Sequence, residues 1–168
     1  MSRAFVKGSD DNVEDDLPER PLSPHPNYVT ANGLAQLQAR VQELQQARDR
    51  LTAEEDNSLA KQKLLEVKRD LRYFQARLES AILVDPAAQP RDEAHFGAVV
   101  EVDGEDGKRH EFVMVGEDEA DVASAKISWS SPLGKSLIGA KVGDIVVWQR
   151  PAGDTELEII SIRYPDGK

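Results

Sequence analysis

The strongest constraint on this chain is an apolar repeat running from Leu34 to Ile82. Leu34, Leu37, Val41, Leu44 and Leu51 recur at helical seam spacings, with Arg48 as the one polar interruption. The spacing returns in Ala60, Leu64, Val67, Leu71, Phe74, Leu78 and Ala81, backed by Ile82. Residues at alternating intervals of three and four form one stripe on a helix, and that stripe must be covered by another. Between the two runs stands Asp56-Asn57-Ser58, whose side chains compete for nearby backbone groups and so favour turns and caps. The pattern predicts two antiparallel helices of roughly 23 residues, each about 35 Å long at 1.5 Å per residue. Thr30 is placed to cap the first. Thr52 with Glu55 also fits a capping box that would start the second helix early, but the symmetry of the two runs favours the later start.

Composition limits what else the chain can be. Only 5% of its residues are aromatic against 39% hydrophobic, so its compact core must be aliphatic. No run is long and apolar enough to span a bilayer or serve as a signal peptide, and we expect a soluble cytoplasmic protein with no membrane partner. The absence of cysteine excludes disulfides, thiolate metal sites and cysteine nucleophiles. His25, His95 and His110 are scattered without ligand spacing.

Residues 1–28 combine an acidic run (Asp10, Asp11, Glu14, Asp15, Asp16) with Pro18, Pro21, Pro24 and Pro26, which predicts a disordered tail. The helical hairpin then occupies 29–85. Asp85-Pro86 ends it, 86–93 is a linker, and a second domain covers 94–168. There, 96–102 and 111–115 read as a hairpin around a turn at 103–107, and Ile127 and Trp129 as a third strand. Ser131-Pro132 opens a short helix, because serine caps and proline fits a first position that needs no amide donor. Gly139 suits its left-handed exit. Two further strands, 142–148 and 157–164, complete an α+β module.

The net charge is −10 but unevenly spread: residues 30–85 are neutral overall, with nine charges of each sign. The basic members Lys61, Lys63, Lys68, Arg69 and Arg72 offer a phosphate-facing stripe on the second helix, or a solvated face of an ordinary coiled coil. Glu54, Glu55 and Asp56 crowd carboxylates at the hairpin tip, where they oppose the helix dipole and serve no packing role.

The second domain is similar to that of the Gre family of bacterial transcript-cleavage factors. The matching residues are Phe96-Gly97-Ala98, Val115-Gly116-Glu117-Asp118-Glu119-Ala120-Asp121, Ile127-Ser128, Ser131-Pro132-Leu133-Gly134, Leu137-Ile138-Gly139, Val142-Gly143-Asp144 and Ile162-Arg163-Tyr164. Thr30, Gly33 and Leu37 resemble the family's helix opening, and Leu83-Val84-Asp85 its interdomain junction. The resemblance implies an antiparallel coiled coil before an FKBP-like α+β domain, in a monomer without a cofactor of its own. It implies that bacterial RNA polymerase is the partner and remains the enzyme, that the hairpin enters its secondary channel, and that transcript RNA and DNA are met only through the complex. Docking would use Ser130, Ser131 and Pro132. Glu54, Glu55 and Asp56 would assist the polymerase chemistry, with Asp56 sharing the polymerase magnesium. At the tip, the family motif places Ala53 at its first acid, and the arms are shorter by about one heptad. A channel-occupying regulator without cleavage is therefore the second reading, and an FKBP-like prolyl isomerase or chaperone the third.

Overall fold

The computed structural model describes residues 17–54 and 56–165. Helix α1 spans Ala31–Thr52 and helix α2 Ser58–Ser80. At the start of α1, Thr30 Oγ1 accepts the Gly33 amide at 2.9 Å, the N-cap expected of threonine. Asn57 caps α2, its Oδ1 accepting the amides of Leu59 and Ala60 at 3.0 and 3.3 Å. Thr52 is not a cap: it ends α1, and its hydroxyl donates back to the Arg48 carbonyl at 2.7 Å.

Val41, Leu44, Val67 and Leu71 are buried between the arms, with Ala47, Leu51, Phe74 and Leu78 packed against them. The arms are 22 and 23 residues long, so each helix extends about 33 to 35 Å. Arg48 does not interrupt this seam. Ala47 packs there instead, and Arg48 turns to Asp49 at 3.4 Å.

The proline-rich segment departs from the disordered tail expected of 1–28. Residues 1–16 lie outside the described residues, but Glu19 and Arg20 are bonded to α2. Arg20 bonds Asp70 Oδ1 at 3.2 Å and lies 4.0 Å from the centre of the Tyr73 ring, while Glu19 accepts from Arg72 Nε at 2.5 Å. Composition alone predicts no such seat, because it is made by one arginine that finds both a carboxylate and an aromatic face.

The chain divides into two compact units that are not consecutive in sequence. One holds Leu37–Ser80 with the described residues up to Pro24, and the other holds His25–Gln36 with the chain from Ala81 onward. In the second unit, β1 (Tyr28–Val29) pairs in parallel with β2 (Ile82–Leu83). The main sheet contains β3 (Val99–Gly104), β4 (Arg109–Val115), β5 (Lys126–Ser128), β6 (Ile145–Trp148) and β7 (Thr155–Arg163), in the order β5-β4-β3-β7-β6. All neighbours are antiparallel except β4 and β5. A parallel pair needs a crossover, which residues 116–125 supply. Trp129 lies just past β5 rather than within it.

Helix α3 (Pro132–Leu137) lays Leu133 and Leu137 against Val100, Val102, Met114, Leu157 and Ile159. The core is aliphatic, as so few aromatic residues require. The whole is an α+β protein: an antiparallel helical hairpin followed by a small α+β domain. Among the described residues no helix is long and apolar enough to cross a membrane.

Leu71 is only 4% exposed in the seam. Leu71→Ala should destabilise the hairpin by about 2 to 5 kcal/mol, and Leu71→Asp more, by burying a charge. Both tryptophans lie in the other unit. A circular-dichroism melt should therefore show early helical loss while tryptophan fluorescence reports an unshifted transition.

Candidate functional site

The hairpin tip is a turn over residues 53–57, closed by hydrogen bonds from the Glu54 amide to the Leu51 carbonyl at 3.1 Å and from the Asn57 amide to the Glu54 carbonyl at 3.0 Å. Asn57 spends its side chain on the cap, so the turn is held without the acids. Glu54 and Asp56 are exposed, and neither carboxylate has a partner among the described residues. Glu55, the third acid expected there, lies outside the described residues. Leu59 stands beside them 76% exposed, an apolar side chain with no share in the seam. Among the described residues no three acids or histidines are grouped to hold a metal. Carboxylate oxygens are the right donors for magnesium, but this tip can supply only part of its coordination.

The five basic residues of α2 do not form one uniform stripe. Lys61, Lys68 and Arg72 follow each other at i, i+7 and i+11 and share a line along the helix, with Arg69 beside it, whereas Lys63 falls on the opposite flank. Lys61, Lys63 and Lys68 are exposed. Arg69 is paired with Asp70 at 3.2 Å, and Arg72 with Glu19.

The Ser130-Ser131-Pro132 segment belongs to the sheet-containing unit and is rigidly built. Ser131 Oγ donates to the Ser128 carbonyl at 2.7 Å and accepts the Gly134 amide at 3.1 Å, capping α3, with Pro132 in its first turn. A Cβ on Gly134 would lie 2.2 Å from the Ser128 carbonyl oxygen, so only glycine permits this close return. Ser130 Oγ donates to Glu117 Oε2 at 2.7 Å and lies 2.9 Å from Ser128 Oγ. Its hydroxyl is thus held within the loop, and the carboxylate beside it comes from Glu117.

One buried polar residue with several partners, Glu119, was not singled out as a site by sequence reasoning. Glu119 is 8% exposed, and its carboxylate accepts from Thr30 Oγ1 at 2.6 Å and Asn32 Nδ2 at 2.9 Å. Lys126 Nζ stands 3.7 Å away. A Cβ on Gly33 would lie 2.7 Å from Glu119 Oε1. Thr30 and Gly33 on one side and Glu119 on the other are thus two halves of one contact. A cavity of about 510 Å³ opens beside it, lined by residues that include Leu83, Val84, Val113 and Val115. At the C-terminal motif, the Tyr164 hydroxyl donates to the Glu93 carbonyl at 2.6 Å and accepts the His95 amide at 3.0 Å. Burial pushes this phenol above its ordinary pKa.

Glu119→Ala would remove a buried carboxylate that accepts from half-buried Thr30 and exposed Asn32, and should lower the stability of this unit by about 1 to 3 kcal/mol, the scale of hydrogen bonds to a charged group. Faster amide exchange at Gly33 and Leu34, with the α2 amides unchanged, is the measurement that checks it.

Residues 89–164 match the model of the C-terminal domain of the GreA/GreB transcription elongation factors. The chain is 42% identical over 110 residues to transcription elongation factor GreB of Neisseria meningitidis serogroup B, covering 65% of this chain and 68% of that one. It is 41% identical over 108 residues to GreA of Thermodesulfovibrio yellowstonii, covering 62% and 67%. A solved GreA/GreB factor from Nitrosomonas europaea is similar over 82% of this chain and 99% of its own, at 22% identity and a TM-score of 0.41. At 42% identity over two thirds of the length of the Neisseria meningitidis GreB, the chain belongs to the GreA/GreB family of transcription elongation factors.

Proposed function

We propose that the protein acts on bacterial RNA polymerase, docking through the Ser130-Ser131-Pro132 loop and presenting the hairpin tip to the catalytic centre through the secondary channel. The observation that carries this reading is the tip itself. Glu54 and Asp56 are exposed carboxylates without partners among the described residues, on a turn that Asn57 closes without them. Acids that neither pack nor cap are available for a ligand supplied by something else. A second magnesium bound there would supply water activation and charge neutralisation in hydrolysis of a backtracked transcript. The chain's own part is to carry Glu54, Glu55 and Asp56 on a helical arm, hold the turn that aims them, and leave the remaining ligands and the chemistry to the polymerase.

Two observations favour occupancy of the channel without cleavage as the second reading. Ala53 stands where the family motif has its first acid, and exposed Leu59 adds an apolar point beside the acids. Such a tip would obstruct nucleotide entry or compete with cleavage-active factors.

A transcript-cleavage assay on purified backtracked polymerase separates the two. If the first reading holds, wild type stimulates cleavage. Replacing Glu54, Glu55 and Asp56 by alanine then lowers it by about tenfold or more, the scale on which metal-site partners act, while polymerase binding persists. Asp56→Asn should account for most of the loss. If the second holds, wild type slows nucleotide addition without cleavage. Identical behaviour of wild type and the triple variant in both assays would remove the tip from the mechanism.

A further inference from the structure

The main sheet ends on β6, and among the described residues no strand pairs with its outer side. We propose that this edge accepts an extended segment of a protein partner, with basic residues alternating with apolar ones, as a sixth strand of the sheet. The inference stands apart from polymerase docking, because the Ser130-Ser131-Pro132 loop follows β5, the opposite edge.

The first observation is the direction of the backbone. The Ile159 amide donates to the Asp144 carbonyl at 2.9 Å, and the register then pairs Val146 with Leu157 and Trp148 with Thr155. Antiparallel ladder bonds fall on every second residue, so they use Asp144, Val146 and Trp148. Ile145 and Val147 therefore turn their amides and carbonyls outward, a template for another strand. Ile145-Val146-Val147-Trp148 carries neither the charge nor the proline that ordinarily blunts an edge.

The second is the side chains of that strand. Ile145 is 63% and Val147 47% exposed, on one face of the sheet, whereas Val146 and Trp148 pack toward the core on the other. An added strand would meet apolar side chains on both of its faces.

The third is charge, which selects the occupant. Glu158 and Glu156 of β7 stand directly opposite Ile145 and Val147, and so share their face. The register carries that face on through Asp103 and Glu101 of β3 to Arg109 and Glu111 of β4. Its arginines are committed: Arg109 is bound to Asp103 at 2.9 Å, and Arg163 to Glu111 at 3.0 Å. Glu101, Glu156 and Glu158 thus leave the face acidic. Neighbouring strands lie about 4.8 Å apart. A lysine or arginine on the added strand can therefore lay its stem over Ile145 or Val147 and bring its charged end to the carboxylates of β7. A second copy of this chain, paired antiparallel, would instead return the same acids to the same face.

The test uses the full chain and a short fluorescent peptide alternating lysine and valine, N-methylated along one edge so that it cannot stack on itself. Amide exchange followed by NMR should slow at Ile145 and Val147 when the peptide is added, with β5 unchanged. Val147→Pro removes an outward amide where an edge strand tolerates proline, and should weaken binding about tenfold by anisotropy. Glu156→Gln with Glu158→Gln should weaken it about three- to tenfold at low salt and leave the circular-dichroism melt unchanged. Should Val147→Pro disturb that melt, the glutamine pair decides. Absence of protection at Ile145 and Val147 overturns the proposal, and so does full binding by the glutamine pair or by a peptide with glutamate in place of lysine. Protection that appears without peptide and grows with protein concentration would give the edge to a second copy, and overturns it too. Polymerase binding is read separately, so failure here leaves the docking and cleavage readings standing.

Discussion

Much of the sheet-containing unit depends on one buried carboxylate. Glu119 is taken out of water and must be compensated, since an unpartnered buried charge costs several kcal/mol. Thr30, Asn32 and Lys126 provide that compensation, and Gly33 leaves room for it. The same threonine caps α1 through the Gly33 amide, so its hydroxyl both donates to the acid and accepts from the helix. The start of α1 is therefore tied to a residue far away in sequence, in the crossover between β4 and β5. The parallel pairing of β1 with β2 brings in the residues just before α1 by a second route.

This dependence explains which parts of the structure were legible in the sequence. The hairpin was readable because a periodic apolar seam is a local signal repeated many times. Asn57, Ser131-Pro132 and Gly139 were readable because caps and left-handed exits have chemical requirements at single positions. Gly139 indeed has φ +83°. The Glu119 contact was not legible, although both of its halves lie in stretches that resemble the family, because nothing in a motif says which distant motif it touches. The two-residue strands β1 and β2 are too short to show a period. Arg20 lies in a segment whose prolines and charge pointed to disorder, and only the placement of half-buried Asp70 and Tyr73 one turn apart on α2 gives it a seat.

Sequence reasoning treated the candidate site as a set of charges, and the structure sorts those charges by what they already hold. Arg69 and Arg72 are engaged within the chain, whereas Lys61, Lys63 and Lys68 project into solvent. Ser130, placed in the docking loop by resemblance, bonds Glu117 and faces Ser128. The carboxylate at that loop is therefore Glu117, from the preceding crossover. Pro132 presets the backbone at the start of α3, and Gly134 lets the helix return onto the loop. The loop is fixed by these backbone constraints.

The tip follows the opposite logic. Glu54 sits where the C-terminal end of α1 already carries partial negative charge, which costs stability, whereas Asp56 stands just before the N-cap of α2, whose dipole favours it. Asn57 restores the turn from the other side by capping α2, so the acids can be replaced without loss of the hairpin. A side chain that the turn does not need is free to answer to a ligand. The seam residues lack that freedom, because any polar replacement there opens the arms. The hairpin thus separates its two requirements along its length: apolar side chains bury themselves along the shaft, and carboxylates remain exposed at the end.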